Sequence, residues 1–470
     1  MEDNKYKYLI KNTGFLAISS FSSRILVFLL VPFYTNILST SEYGIFDLAT
    51  TTIQLLMPIL TLNVYEGVTR FLMSDKENPN TIVTVGFKYI AVGTAIFALA
   101  LFGNTIFHIF PLFSGYELLI FLYFVCNVLY QYAIQCAKGF ELVKNMGIAG
   151  VISTFVMVFT NVLFLAIWHI GLLGFFLSYI LGQGIAAVYL FWKINIIRYL
   201  KNENDYNLQK RLVYYSVPLI LNTIGWWINN ASDRYIVTWL CGVSINGIYS
   251  VSYKIPSILS TFQSIFTQSW QISAIKEYQK EGYRRFYARM LETINLIVGI
   301  ACMALILFTK VIARILYAKD FYSAWEYVPF LLLSTVFSAS AGMVGPILSA
   351  KKNTKALGTS TLFGALTNIV FNIALVSIIG AQGAAIATAL SSFLIFLLRY
   401  ISAKQEIEGI SLPRLFGFWI VICAQACLMI DGGHYWGQVI LIIVGILTYK
   451  DNVVLALKRL KNKCSLWLRY

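Results

Sequence analysis

Two basic side chains lie inside long apolar runs: Arg24 in SSRILVFLLVPF and Lys254 in GIYSVSYKIPSIL. A charge at bilayer depth costs at least roughly 2.5–3.5 kcal/mol on insertion scales, so it normally faces a cavity or a partner. Arginine offers a rigid fork that grips phosphate oxygens two at a time, whereas lysine is a flexible point charge. Facing a common cleft, the pair has the chemistry to bracket an anion. At helical rise Arg24 lies roughly 20 Å, and Lys254 roughly 15 Å, from the outer end of its run.

Polar and aromatic residues accompany them. One apolar stretch carries Asn222, Thr223, Trp226, Trp227, Asn229 and Asn230, and the next carries Ser250, Ser252, Tyr253, Ser257, Gln263, Gln268 and Gln271. Amides, hydroxyls and aromatic faces bind sugars, and the same groups also glue helices together in lipid. The candidate binding set is Arg24, Lys254, Asn222, Trp226, Trp227, Asn229, Asn230 and Tyr253. Two charged pairs are candidate gates: Glu66 with Arg70 in NVYEGVTRF, and the adjacent Asp233 and Arg234. Each has a structural alternative. Arg24 can pair with Glu66 or Asp47, and either gate can be an ordinary ion pair. Lys138 and Lys351 read as helix ends on the inner face.

The elements that must position these residues follow from composition. The 470-residue chain is 58% hydrophobic and 12% charged, with a mean hydropathy of +0.72. A soluble domain carries about twice that charge fraction, and apolar runs of about 20 residues recur throughout. The expected fold is an all-α integral membrane protein of about fourteen transmembrane helices. The expected spans are 13–36, 43–65, 82–107, 116–137, 147–168, 171–192, 212–239, 244–272, 290–313, 325–349, 354–378, 382–402, 412–430 and 434–449.

With both termini cytoplasmic, 30 of the 36 Lys and Arg fall on inner segments and four on outer ones: Arg234, Lys310, Arg314 and Lys319. Arg24 and Lys254 remain within the membrane. That asymmetry supports the orientation, and it accounts for the net charge of +15 without a nucleic-acid partner. Seven cysteines without CxxC spacing give no metal or disulfide framework. MEDNKYKYLIKN has no signal-cleavage pattern. The tail alternates Val453, Leu457, Leu460, Cys464 and Trp467 with basic residues, as a helix on the inner leaflet would.

The chain also repeats itself. Gly44 aligned with Gly247 pairs YGIF with NGIY at an offset of 203, and sets Thr51 against Lys254. CAKG (136–139) returns as SAKK (349–352), and NVLFLAIWHIGLLG as NIALVSIIGAQG. Two parallel six-helix repeats are expected around a central cavity, in lobes 1–205 and 206–405. Residues 406–470 would add two helices and the tail. Such duplication suits alternating access.

SDRYIVTWLCGVSINGIYSVSYKIP, ARILYAKDFYSAWEYVPFLLL and SSRILVFLLVPFYTNILSTSEYGIF resemble bacterial Wzx-type polysaccharide-repeat flippases. These belong to the multidrug/oligosaccharidyl-lipid/polysaccharide exporter superfamily, and the resemblance covers the whole chain in order and length. It implies translocation of polyprenyl-diphosphate-linked oligosaccharide from the inner to the outer leaflet of the cytoplasmic membrane. Arg24 and Lys254 would hold the diphosphate in a cationic cavity. Asp233 and Arg234 match the family's DR pair. The implied partners are that substrate, membrane lipid, and either a proton or sodium ion as coupling ion or none. The expected state is a monomer, with a polysaccharide polymerase as candidate associate. No cofactor, metal or catalytic residue is expected, and GxxxxGK[ST] is absent. Two readings stay open beside it. One is a lipid II flippase, which resembles this chain at Arg24 and in span count. The other is a cation-coupled multidrug antiporter, which normally needs a deep carboxylate that span one lacks.

Overall fold

In a bilayer every backbone polar group must find its partner within the segment, so helices are the default element for these apolar runs. The computed structural model describes residues 25–74, 77–201, 205–432 and 434–449, and no strand occurs among them. Ten described helices are long and apolar enough to cross a membrane. Two compact units emerge, one of Met1–Ala231 with Leu316–Lys319, the other of Ser232–Ile315 with Asp320–Tyr470.

In the first unit, α1 (Val31–Ile37) leads into α2 (Thr40–Leu60). Ser39 and Glu42 form a capping box: the Glu42 N–H donates to Ser39 Oγ (3.2 Å) and the Ser39 N–H to Glu42 Oε2 (2.8 Å), satisfying two orphan donors. The expected 43–65 span is not one helix. Leu62 and Asn63 adopt left-handed conformations (φ 51° and 52°), and a new helix, α3 (Val64–Leu72), begins. Pro58 inside α2 loosens the turn before this bend.

Four long helices complete this bundle: α4 (Pro79–Phe107), α5 (Glu117–Gly139), α6 (Val143–Asn161) and α7 (Gly171–Ile194). Phe46 of α2 packs against Phe175, Phe176 and Tyr179 of α7 at ring-centroid distances of 4.5, 5.0 and 4.8 Å. In lipid such packing gains van der Waals contact rather than a transfer free energy. The 36-residue α8 (Tyr206–Cys241) passes from the first unit to the second within its length.

The second unit continues with α9 (Val243–Ser252), α10 (Lys254–Glu277) and α11 (Tyr283–Leu307). The short α12 (Thr309–Leu316) follows. Next come α13 (Val328–Ala350), α14 (Thr354–Ile379) and α15 (Ala381–Ala403). The centre is α13, 89% buried over its apolar window, while α14, like α4 in the first unit, is 28% buried and faces outward. Gly383 permits close packing of α15 on α14, since a Cβ there would collide with the backbone of Leu375 and Val376.

The last two helices, α16 (Leu412–Ile430) and α17 (Tyr435–Thr448), are bonded to this unit. Trp419 Nε1 donates to Asn295 Oδ1 of α11 (3.1 Å) and Gln425 Nε2 to the Met303 carbonyl (3.0 Å). The basic tail, with Val453, Leu457, Leu460, Cys464 and Trp467, lies outside the described residues.

Candidate functional site

The α8 and α10 helices have spanning length, 36 and 24 residues, yet are too polar to join the ten apolar spans. They hold most of the candidate binding residues. Between α9 and α10 the helical pattern is interrupted at Tyr253. Pro256, with no N–H, cannot donate to the Ser252 carbonyl four residues back, and this loosens the turn. Lys254 is therefore the first residue of α10. It is half-buried, and among the described residues its ammonium meets no hydrogen-bond or ion-pair partner. Ser257, Thr261, Ser264 and Gln271 follow it on one side of α10, at the i+3, i+7, i+10 and i+17 positions. Ser257 and Gln271 are exposed.

Tyr253, the residue before Lys254 in the chain, belongs to a buried polar cluster around a single carboxylate. Asp233 (2% exposed) accepts hydrogen bonds at Oδ2 from the Tyr249 hydroxyl (2.7 Å) and from the Tyr253 hydroxyl, and at Oδ1 from the Arg234 N–H (3.0 Å). The Tyr249 and Tyr253 hydroxyls are 3.2 Å apart. The Arg234 guanidinium lies over the Tyr253 ring, 5.4 Å from its centroid. Tyr253 is thus committed to the carboxylate, and the DR pair works through two tyrosines.

On α8, Asn222, Trp226, Asn229 and Asn230 share one helical face at i, i+4, i+7 and i+8. Asn222, Trp226 and Asn230 are exposed. Asn229 and Asn230 each donate from Nδ2 to the carbonyl four residues earlier, at 3.0 and 2.7 Å. Trp227 turns aside from this stripe and donates from Nε1 to the Thr51 carbonyl of α2 (2.9 Å). Arg24 lies outside the described residues.

The Glu66–Arg70 pair is rearranged. Glu66 Oε1 accepts from Gln135 Nε2 (2.8 Å), and Gln135 Oε1 accepts from the Thr69 hydroxyl (2.7 Å). Arg70 is exposed, with no ion pair among the described residues. Lys351, read as a helix end, is engaged. Its Nζ lies 2.9 Å from Glu406 Oε1, whose other oxygen accepts from the Tyr283 hydroxyl (2.6 Å).

Two features escape a reading of the sequence. Arg399 falls among the cytoplasmic charges by position, yet it is 7% exposed within α15. Its guanidinium donates to Ser360 Oγ (3.3 Å), the Ala341 carbonyl (3.1 Å) and Thr361 Oγ1 (3.1 Å). These bonds tie α13, α14 and α15 together, and no carboxylate pairs with it among the described residues. Its place four residues before the helix end makes burial invisible in the sequence.

The second is a polar chain through the bundle. Ser232 Oγ donates to Asn368 Oδ1 (3.3 Å), Asn368 Nδ2 to Ser391 Oγ (3.1 Å), and Asn372 Nδ2 to Asn368 Oδ1 (3.0 Å). The i, i+4 asparagines in an apolar span are the signal that could have found it.

The comparisons with known proteins agree with this architecture. The family model described as "polysaccharide biosynthesis protein" matches residues 9–275, more than half of the chain. An uncharacterized membrane protein of Methanocaldococcus jannaschii is 21% identical over 83% of this chain and 96% of its own. The probable low-salt glycan biosynthesis flippase Agl15 of Haloferax volcanii is 22% identical over 54% of this chain and 58% of its own. Among solved structures, the lipid II flippase MurJ in an inward closed conformation superposes with a TM-score of 0.67 at 15% identity. It covers 95% of this chain and 99% of MurJ. An inward-facing multidrug resistance MATE transporter of the MOP superfamily gives 0.68 at 12% identity, over 83% and 98%. At these identities the structural likeness shows the fold alone.

Proposed function

The chain belongs to the polysaccharide biosynthesis protein family, and from that premise we propose that it is a flippase for polyprenyl-diphosphate-linked oligosaccharide repeat units. They would move from the inner to the outer leaflet of the cytoplasmic membrane, with both chain termini inside. Lys254 carries the reading. Among the described residues it is a half-buried ammonium without a partner, heading a stripe of hydroxyls and amides. Such a charge is costly unless an anionic ligand takes it up.

In the proposed cycle Lys254 and Arg24 capture the diphosphate electrostatically. The amide and indole stripe of Asn222, Trp226, Asn229 and Asn230 contacts sugar. The polyprenyl chain stays in lipid while the site is presented first to one face and then to the other. Tyr253 contributes by holding the Asp233 carboxylate. Asp233 with Arg234, and Glu66 with Arg70, act as gates that re-bond between states. The coupling ion, a proton or sodium, is left open.

The test is the leaflet distribution of lipid-linked oligosaccharides in cells with and without the protein, read by an impermeant glycosidase or label. Protected inner-leaflet repeat units should accumulate on its loss. An unchanged distribution, with redundant flippases removed, would redirect the reading to drug export. A second reading, lipid II as cargo, is favoured by the superposition on nearly all of MurJ. Accumulation of lipid II instead of oligosaccharide repeat units would establish it.

A further inference from the structure

Three of the four basic residues read as lying on outer segments, Lys310, Arg314 and Lys319, fall within one short stretch after α11. That stretch contains α12, eight residues long. At about 1.5 Å per residue α12 extends roughly 12 Å, far too little to cross a bilayer. It sits between two helices that are long and apolar enough to do so, α11 and α13.

Its side chains fall into three stripes. Thr309 (0% exposed), Ala313 (0%) and Leu316 (4%) are buried against protein. Phe308 just before it (53%), Val311 (47%) and Ile315 (69%) form an exposed apolar stripe. Lys310 and Arg314, at i and i+4, form a third. At about 100° per residue the stripes are centred roughly 110–135° apart around the axis. Lys319 is not part of this array, since its Nζ donates to the Asn36 carbonyl at 2.5 Å. Arg314 is exposed and without a partner among the described residues, and Lys310 Nζ sits 4.4 Å from the Trp325 ring centroid.

A helix in water has two kinds of neighbour, protein and solvent, and needs two faces. A helix lying in a membrane surface beside its own bundle has three: protein to one side, acyl chains below and headgroups above. We propose that α12 lies in the plane of the membrane surface at which α11 ends. Phe308, Val311 and Ile315 sit among the acyl chains, and Lys310 and Arg314 take the phosphates of anionic phospholipid headgroups. This binding surface for resident lipid is independent of the cargo.

Two measurements on the full chain in nanodiscs test it. In a variant with the seven native cysteines replaced, nitroxides go at Val311→Cys, Ile315→Cys and Arg314→Cys, read by power saturation. Oxygen should relax the first two more than a water-soluble nickel chelate does, and the order should reverse at 314. Equal, water-like access at all three positions would overturn the in-plane placement. Native mass spectrometry of the otherwise unaltered chain then compares phosphatidylglycerol with phosphatidylcholine retention. Lys310→Gln with Arg314→Gln should weaken phosphatidylglycerol binding roughly 30-fold, a factor of about five per basic residue near an acidic surface. Unchanged retention would remove the headgroup contacts.

Discussion

Gly44 to Thr51 in α2 and Gly247 to Lys254 across α9 and α10, stretches that match in sequence as YGIF with NGIY, have opposite interiors. In the first stretch Phe46 is sealed among Phe175, Phe176 and Tyr179. Its last residue, Thr51, is fully buried. The Thr51 hydroxyl donates to the Asp47 carbonyl (2.6 Å), and its own carbonyl accepts from Trp227. In the second stretch the equivalent aromatic is Tyr249, whose hydroxyl goes to Asp233. The last residue there is a half-buried lysine, unpartnered among the described residues. One extra oxygen on the aromatic and one proline two residues past the end convert a sealed helix crossing into a polar junction. Side-chain changes at matched positions supply the difference.

The sharpest way to break this comparison is to exchange the final residues. Thr51→Lys forces a long ammonium side chain into a fully buried position. The cost should exceed the roughly 2.5–3.5 kcal/mol of an insertion scale. The expected outcome is loss of monodisperse protein on size-exclusion chromatography. A well-folded variant would mean that the first stretch is less sealed than its burial implies.

The reverse exchange, Lys254→Thr, should leave the fold intact, because the ammonium holds no partner among the described residues. Transport in the leaflet assay should fall at least about tenfold, the loss of one charge-assisted contact of ~1.5–3 kcal/mol. Arg24→Ala should behave alike, and Arg24→Lys should be a partial defect if the bidentate grip matters. Normal flipping by both alanine variants, Arg24→Ala and Lys254→Ala, would remove the cationic site.

A smaller effect is expected from Tyr249→Phe, which restores the aromatic of the first stretch. It removes one of two hydroxyls from Asp233 and should cost ~1–3 kcal/mol, read as a lower melting temperature. The double variant Tyr249→Phe with Tyr253→Phe should cost more than the sum, because both hydroxyl donors to the buried carboxylate are then gone.

The smallest effect belongs to Trp227→Phe. It deletes the bond to the Thr51 carbonyl, a net ~1 kcal/mol, and transport should barely change. Trp226→Ala, on the exposed stripe, should lower transport more than it lowers stability. The opposite ranking would place Trp227 rather than Trp226 at the cargo.

For three apolar helices of the second unit, hydropathy locates the bounds almost to the residue. The expected span 412–430 coincides with Leu412–Ile430, 354–378 falls one residue short of Thr354–Ile379 at one end, and 382–402 falls one residue short of Ala381–Ala403 at each end. Breaks are where it fails. The 43–65 span runs through the left-handed Leu62 and Asn63, 244–272 through Pro256, and 290–313 merges α11 with α12. Hydropathy averaged over a window cannot register one left-handed residue or one missing N–H.

The candidate residues divide the same way. Their types and helical faces follow from spacing, so the Asn222–Trp226–Asn229–Asn230 stripe is legible in the amino-acid order alone. Which polar groups are already taken is not. Trp227 bonds a carbonyl 176 residues away, Gln135 reaches Glu66 across 69, and Arg399 reaches Ala341 across 58.

By itself the sequence determined the membrane class and the apolar helices away from their breaks, because a bilayer forces each segment to satisfy its own backbone and to be apolar over a fixed length. Only the tertiary structure decided which polar side chain is spent on another and which, like Lys254 among the described residues, is not. Side-chain partnership depends on distances between segments remote in the chain, and no local pattern encodes those.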